Sequence, residues 1–292
     1  MTGILLVALG AGILGVLLVV RLLGARGGSP PAVRARPSMA RLRRFAQTTL
    51  LAAPAVEPGF SKLGGLPELP SGIAWPLGDD EPRAFVAQID FAEVTRQGKI
   101  DWLPSDGRIY AFFDDARNGS ADVVKIIYSQ DPPEREAEPP SNISKRWRFG
   151  ERRIGFAVYN SVPSEDWLEV VGPEGLAETD MGVEAGEVTG LENFDLGDGV
   201  QHRIGGYPEE IQNGSLAIEA EYVAQGSHRD YRQDVPTELL VRARQWRLLL
   251  QIDSDDALKM NWWDGGRLFV FVREADARKG DFSRTVTLTQ TH

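Results

Sequence analysis

Ser61-Lys62-Leu63-Gly64-Gly65-Leu66-Pro67-Glu68 and His202-Arg203-Ile204-Gly205-Gly206-Tyr207-Pro208-Glu209 are two copies of one motif. Each is followed, in the same order, by a Gln-Ile-Asp block: Gln88-Ile89-Asp90 and Gln251-Ile252-Asp253. Each then reaches a glycine-led strand, Gly107-Arg108-Ile109-Tyr110-Ala111-Phe112-Phe113 and Gly266-Arg267-Leu268-Phe269-Val270-Phe271-Val272. A cation, a glycine turn and two strand blocks recurring in order predict an internally duplicated α+β fold. Its sheets should be mostly antiparallel with few helices, because the blocks are short, alternating and separated by turn residues. The half-units fall at about residues 60–130 and 200–290 of a domain spanning 60–292. Between the glycine pair and Gln-Ile-Asp the first copy runs from 64 to 88 and the second from 205 to 251, so the second carries 22 more residues. Each half leaves an apolar face that needs a partner, and two such halves predict a pseudo-two-fold pair.

Composition sets the bounds. At 292 residues, 42% hydrophobic and 25% charged, the chain can bury a sizeable core. It has no cysteine, which excludes disulfides and thiolate metal sites and fits a reducing compartment. The net charge of −10 is uneven: residues 1–44 hold seven arginines and no acid, leaving 25 basic and 42 acidic side chains, a net −17, for residues 45–292. A body this acidic is repelled by nucleic acid, whose affinity comes from phosphate neutralisation, and favours a basic protein partner.

Ile4 to Val20 is seventeen residues without a charge, extended by Leu22-Leu23. About 20 residues at ~1.5 Å each span the ~30 Å hydrocarbon core, so residues 1–24 read as a transmembrane anchor, with the membrane met through residues 4–23. No basic residue precedes the apolar run and all seven arginines follow it. That argues against a cleaved signal peptide and places the body on the cytoplasmic face, as a single-pass protein of the inner membrane. Gly10-Ala11-Gly12-Ile13-Leu14-Gly15 matches a dinucleotide-binding pattern but lies inside the apolar run with no strand before it, so it carries no such meaning. Residues 25–59 read as a basic Pro/Gly linker and a lead-in helix, the helix over Ser38–Ala53 from the spacing of Leu42, Phe45 and Leu50.

Along the first copy, Lys62–Pro76 is rich in turn residues yet carries Leu63, Leu66, Leu69, Ile73 and Trp75, so it should lie extended over a sheet. Phe85–Ile89, Arg108–Phe113 and Ala121–Tyr128 read as strands, and Asp90 with Glu93 has the spacing of a helix capping box. Ser129–Ser144 is an exposed proline-rich loop, and Arg148–Val162 contains a further strand. In the second copy Asp234–Ala243 reads as helical, Trp246–Ile252 and Arg267–Arg273 as strands, and the tail from Asp281 as an edge strand. Asp253 repeats the capping logic of Asp90.

The candidate binding residues are Lys62, Gly64, Gly65, Trp75, His202, Arg203, Gly205 and Gly206. Paired cations at matching positions can cradle an anion or carboxylate, with glycines allowing close backbone approach. The same cations can instead form ion pairs with Asp90 and Asp253. Trp75, Trp102, Trp262 and Trp263 near turns offer either a stacking surface or core anchors. The three histidines fit no zinc spacing, and no nucleophile elbow, phosphate loop or metalloprotease motif occurs, so no catalytic residue, metal or cofactor is assigned.

Taken in order, SKLGGLPELPSGIAWP, FVAQIDFAEV, DGRIYAFF, HRIGGYPEEIQ, LLLQIDSD and GGRLFVFV resemble the YwqG-like family of uncharacterised bacterial proteins, over roughly residues 60–290. The resemblance implies an internally duplicated α+β fold and no established catalytic residues, and some members resemble components of toxin–immunity neighbourhoods. Two expectations follow. One is a membrane-anchored, non-enzymatic interaction module with an immunity-like role. The other is a small-ligand-binding or enzymatic domain with its site between the half-units.

Overall fold

The computed structural model describes residues 45–55, 59–164, 167, 170–171, 199–212 and 214–292. The anchor read over 1–24 and most of the basic linker lie outside the described residues. Among those that are described, no helix is long and apolar enough to cross a membrane.

The fold is mostly antiparallel β, with four α-helices among the described residues. The first motif begins in β2 (Lys62–Leu63) and leads through β4 (Ala84–Asp90) to β5 (Arg108–Phe113) and β6 (Val124–Ser129). The second begins in β9 (Arg203–Gly205) and leads through β10 (Trp246–Asp253) to β11 (Arg267–Arg273) and β12 (Val286–Gln290). Two further strands, β1 (Gln47–Pro54) and β8 (Arg152–Ser161), each precede one of these sets. All ten join in one sheet in the order β12-β11-β10-β9-β1-β8-β2-β4-β5-β6. A separate pair, β3 (Glu68–Leu69) with β7 (Arg135–Glu136), lies outside it.

The order shows an exchange. β1 precedes the first motif in the chain but pairs with β9 of the second, while β8 precedes the second motif and pairs with β2 of the first. β1 and β8 then pair with each other along their length. The register locates a local two-fold: Leu51 lies beside Arg203 and Arg153 beside Lys62, so Leu51 and Arg153 are equivalent. The same offset carries Ala53 onto Gly155, and those two residues face each other across the β1–β8 ladder.

β1 corrects the lead-in helix. Gln47 to Pro54 is a strand, seated between β8 and β9. Both edges of its backbone are occupied by ladder bonds, and Thr48-Thr49 suits a pleated, half-buried surface. The spacing of Phe45 and Leu50 imitates a helix, but tertiary pairing decides the outcome.

Alternation sorts the side chains to two faces. One face carries Leu63, Ile89, Ile109, Phe113, Leu50, Ile154, Ile204, Leu250, Ile252 and Leu268, which form one buried core drawn from both halves. The sheet curls round this core. Its two ends approach each other where Val124 N donates to Thr287 Oγ1 at 3.2 Å and Thr287 N to Ala121 O at 2.7 Å. The outer faces are covered differently. On the first half, Leu69, Ile73 and Trp75 of the turn-rich segment lie over Phe85, Tyr110 and Phe112, as their sequence predicts. On the second half the extra residues form α2 (Leu216–Ala224) and α3 (Thr237–Ala243), which cover Leu248, Phe269 and Phe271. A short helix α1 (Phe91–Gln97) follows β4, and α4 (Glu274–Ala277) follows β11.

Glu221 fastens the helical cover. Its buried carboxylate accepts from Trp246 Nε1 at 3.0 Å, Arg273 Nη2 at 2.7 Å, Arg242 Nε at 2.9 Å and Gln225 Nε2 at 2.7 Å. Burial alone would raise its pKa, but the donors from Gln225, Arg273, Trp246 and Arg242 outweigh that and hold it below the usual glutamate value.

Candidate functional site

The two motif copies build the same hydrogen-bond frame on the outer face of the sheet. Gln88 accepts from Glu68 N at 2.8 Å and donates to Phe60 O at 2.8 Å. Gln251 accepts from Glu209 N at 2.9 Å and donates to Gln201 O at 2.9 Å. Each glutamine thus fixes the segment before and after its glycine turn to the neighbouring strand. Asp90 pairs with Arg108 at 3.1 Å and Asp253 with Arg267 at 3.1 Å. These aspartates therefore meet the arginines that open the following strands, not Lys62 or Arg203, which corrects the alternative ion pairing.

The frame also explains His202. In the first copy Asp90 N donates to Ser61 Oγ at 3.0 Å; in the second, Asp253 N donates to His202 Nδ1 at 3.1 Å. Ser61 and His202 occupy the same place and supply the same acceptor. With Nδ1 accepting, the ring proton sits on Nε2, which lies 3.3 Å from Asp255 Oδ2. Asp255 also receives Arg152 Nη1 at 2.5 Å. The His202 hydrogen bond, against the opposing effect of burial, together with Arg152 holds the Asp255 carboxyl well below the usual carboxylate range. Asp255 caps the following turn by accepting from Ala257 N and Leu258 N. Capping after β10 therefore belongs to Asp255, whereas Asp253 accepts from Gln201 N. Asp90 does cap α1, accepting from Ala92 N and Glu93 N, while Glu93 turns to the backbone of Phe60 and Ser61.

Lys62 and Arg203 lie on one face of the sheet but three strands apart, with β8 and β1 between them. Lys62 is 0% exposed and meets Glu151 at 3.0 Å, Glu136 at 3.4 Å and Glu68 at 3.6 Å. Arg153 joins this cluster at 2.7 Å from Glu68 and 3.5 Å from Glu151. Arg203, also buried, contacts Glu209, Gln201 Oε1 and, at 3.4 Å, the Tyr207 carbonyl. The carboxylates lie outside the cations: Glu136 is 52% exposed, Glu151 39% and Glu209 43%. Solvent therefore meets acids above both motif cations. Between the two banks, Leu51, Ala53, Gly155, Ala157 and Tyr159 alternate onto this outer face from the central strands, and Ala157 is exposed. Burial pushes the Tyr159 hydroxyl pKa up, so it stays neutral.

The glycines serve the turns. Gly64 has φ of +59° and a Cβ there would lie 1.9 Å from Gly150 O, while Gly206 has φ of +71° and its Cβ would meet Thr49 Oγ1 at 1.8 Å. Gly65 and Gly205 also have positive φ. What approaches these glycines is β8, β1 and their flanking backbone, not open space. Trp75 donates Nε1 to Arg83 O at 2.8 Å and packs edge-on against Phe112 at 5.5 Å, within the cover of the first half. Trp102 and Trp262 are core residues, and Trp263 is partly exposed. On the core side, a crevice lined by His202, Arg203, Gln251, Leu63, Ile154 and Phe156 encloses about 10 Å³, on the order of one water. Among the described residues no group of three or more His, Cys, Asp or Glu could hold a metal ion.

The candidate-site residues that the sequence does not reveal are the acids over Lys62, since Glu136 and Glu151 stand 74 and 89 residues away. Glu209 stood inside the second motif and was open to notice. The motif-bearing part of the chain matches the model of a family described as a domain of unknown function, DUF1963, over residues 61–290. The chain belongs to this family. No curated protein matches it.

Proposed function

We propose that this is a YwqG-like member of its family acting as a membrane-anchored, non-enzymatic interaction module at the cytoplasmic membrane face. Its partner is a protein with a basic surface, and an immunity-like role fits that description. The observation that carries the reading is the layering of charge on the motif face, with Lys62 and Arg203 buried beneath the exposed carboxylates of Glu136, Glu151 and Glu209. The motif cations complete the fold, and the surface they leave is acidic. This agrees with the net −17 of residues 45–292 and with electrostatic steering of a basic partner. The shallow floor of Ala53, Gly155 and Ala157 between the banks allows close approach of such a partner.

The test is a quantitative pull-down of the full chain from gently solubilised native membranes, in low salt and again in raised salt. The expected result is one stoichiometric basic protein, lost in raised salt and lost from a Glu136→Gln/Glu151→Gln/Glu209→Gln variant of normal melting temperature. No partner above background, or one indifferent to the triple substitution, would sink the reading.

A further inference from the structure

On the helical side of the second half, a cavity of about 300 Å³ opens between the end of α3, the start of β10 and the start of β1. Phe45, Trp167, Val170, Tyr207 and Trp246 give it aromatic and apolar walls, and Arg244 and Arg247 line it as well. The polar groups of these walls are mostly engaged elsewhere. Trp167 Nε1 donates to Glu210 at 2.9 Å, Trp246 Nε1 to Glu221 at 3.0 Å and the Tyr207 hydroxyl to Phe45 O at 2.8 Å. Arg247 gives Nη1 to the carbonyls of Arg244 and Trp246 at 2.8 and 3.0 Å, and Nη2 lies 2.6 Å from Glu274.

Arg244 differs. Its Nε is fixed to Val170 O at 2.6 Å, and its two Nη groups have no hydrogen-bond partner among the described residues. Fixing Nε holds the guanidinium plane while leaving the end-on pair of donors for a ligand, the geometry that takes a carboxylate through two parallel hydrogen bonds. The volume sits at the lower end of small-molecule sites, which are apolar concavities with a few placed polar groups. Aromatic walls favour a flat ring, offered in offset or edge-on contact.

We propose that this cavity binds a small aryl carboxylate, with the ring against the wall formed by Trp167, Tyr207 and Trp246 and the carboxylate on Arg244. The site lies outside the motif frame and does not depend on the acidic rim or its partner.

The test uses the full chain in nanodiscs of neutral phosphatidylcholine, titrated calorimetrically with 2-naphthoate and, for comparison, its neutral analogue 2-naphthamide. The expected result is saturable binding of the carboxylate, at least about tenfold tighter than the amide, as a charge-assisted pair requires. Arg244→Gln should bring the carboxylate down to the level of the amide. Val171→Trp, which fills the cavity and leaves Arg244 in place, should abolish binding of both. Equal affinity for acid and amide, no saturable binding, or binding unchanged in either variant of normal melting temperature would overturn the proposal.

Discussion

The two motif copies build the same backbone frame from different side chains, and the differences show which parts of the motif the fold requires. Gln88 and Gln251 make equivalent bonds, as do the Asp90–Arg108 and Asp253–Arg267 pairs. Around that shared frame the chemistry varies. The carbonyl of Glu68 is met by the Tyr110 hydroxyl at 2.9 Å, and the equivalent carbonyl of Glu209 by Arg267 Nη1 at 2.8 Å, because Phe269 has no hydroxyl. Ser61 is replaced by His202, Lys62 by Arg203, and an extended cover by two helices. Where one donor is lost another supplies the bond, so the frame is the conserved demand of the architecture and the side chains are its alternative solutions.

The largest effect should separate the two glycine turns. Gly64→Ala would set a Cβ 1.9 Å from a backbone carbonyl, whereas the equivalent Gly205→Ala meets the flexible end of Ile100 at 2.7 Å and Thr48 O at 2.9 Å. Both pay for a positive φ and both press on backbone, but the Gly64 overlap is a full ångström deeper than the contact of Gly205 with Thr48 O. Expected losses are about 4 kcal/mol for Gly64→Ala and about 2 kcal/mol for Gly205→Ala, read from urea midpoints. Equal losses would mean that φ alone decides.

Next comes the cover that only the second half possesses. Glu221→Gln puts an amide NH₂ against the donors now satisfied by the carboxylate, at an expected cost of about 2–3 kcal/mol at pH 7. Because the folded-state pKa of Glu221 is lowered, its contribution is present above the unfolded value of about 4.5 and fades as pH falls through the folded one. The gap between wild type and Glu221→Gln should therefore narrow as pH falls below about 4.5, and a constant gap would refute the carboxylate's role.

The smallest effects should invert a simple count of ion pairs. Lys62 has three carboxylate neighbours within 4 Å, but two of them are substantially exposed and can be rehydrated when it is removed. Arg203 has one, yet it also serves the buried Gln201 and the Tyr207 carbonyl. Lys62→Met should cost less than about 1 kcal/mol and Arg203→Met about 2 kcal/mol, since only the second strands buried acceptors. Thermal denaturation of the pair decides the order.

The strands that alternate strongly were legible from sequence: Ile109, Ala111 and Phe113 against Tyr110 and Phe112 give β5 its bounds without help. The Asp90 cap and the extended cover ending in Trp75 were also readable, because their causes lie within a few residues. β1 was not, since its identity as a strand comes from pairing with β8 and β9, whose partner residues stand 100 or more positions away. α2 was missed inside the longer second copy, although Leu216-Ala217-Ile218 and Ala220, all buried, carry a helical face. In the site, sequence found the cations and turns but not the acids that cover Lys62, which arrive from a proline-rich loop and the approach to β8.

The exchange of β1 and β8 has a consequence for biosynthesis. β1 is made well before β9, so Thr49 waits for Gly205 before both edges of its ladder are complete. Until then residues 49–51, paired with β8 on one side, keep their other edge open, the kind of surface through which nascent chains associate wrongly. A chain halted after β8 would expose the edge of β1 that β9 closes.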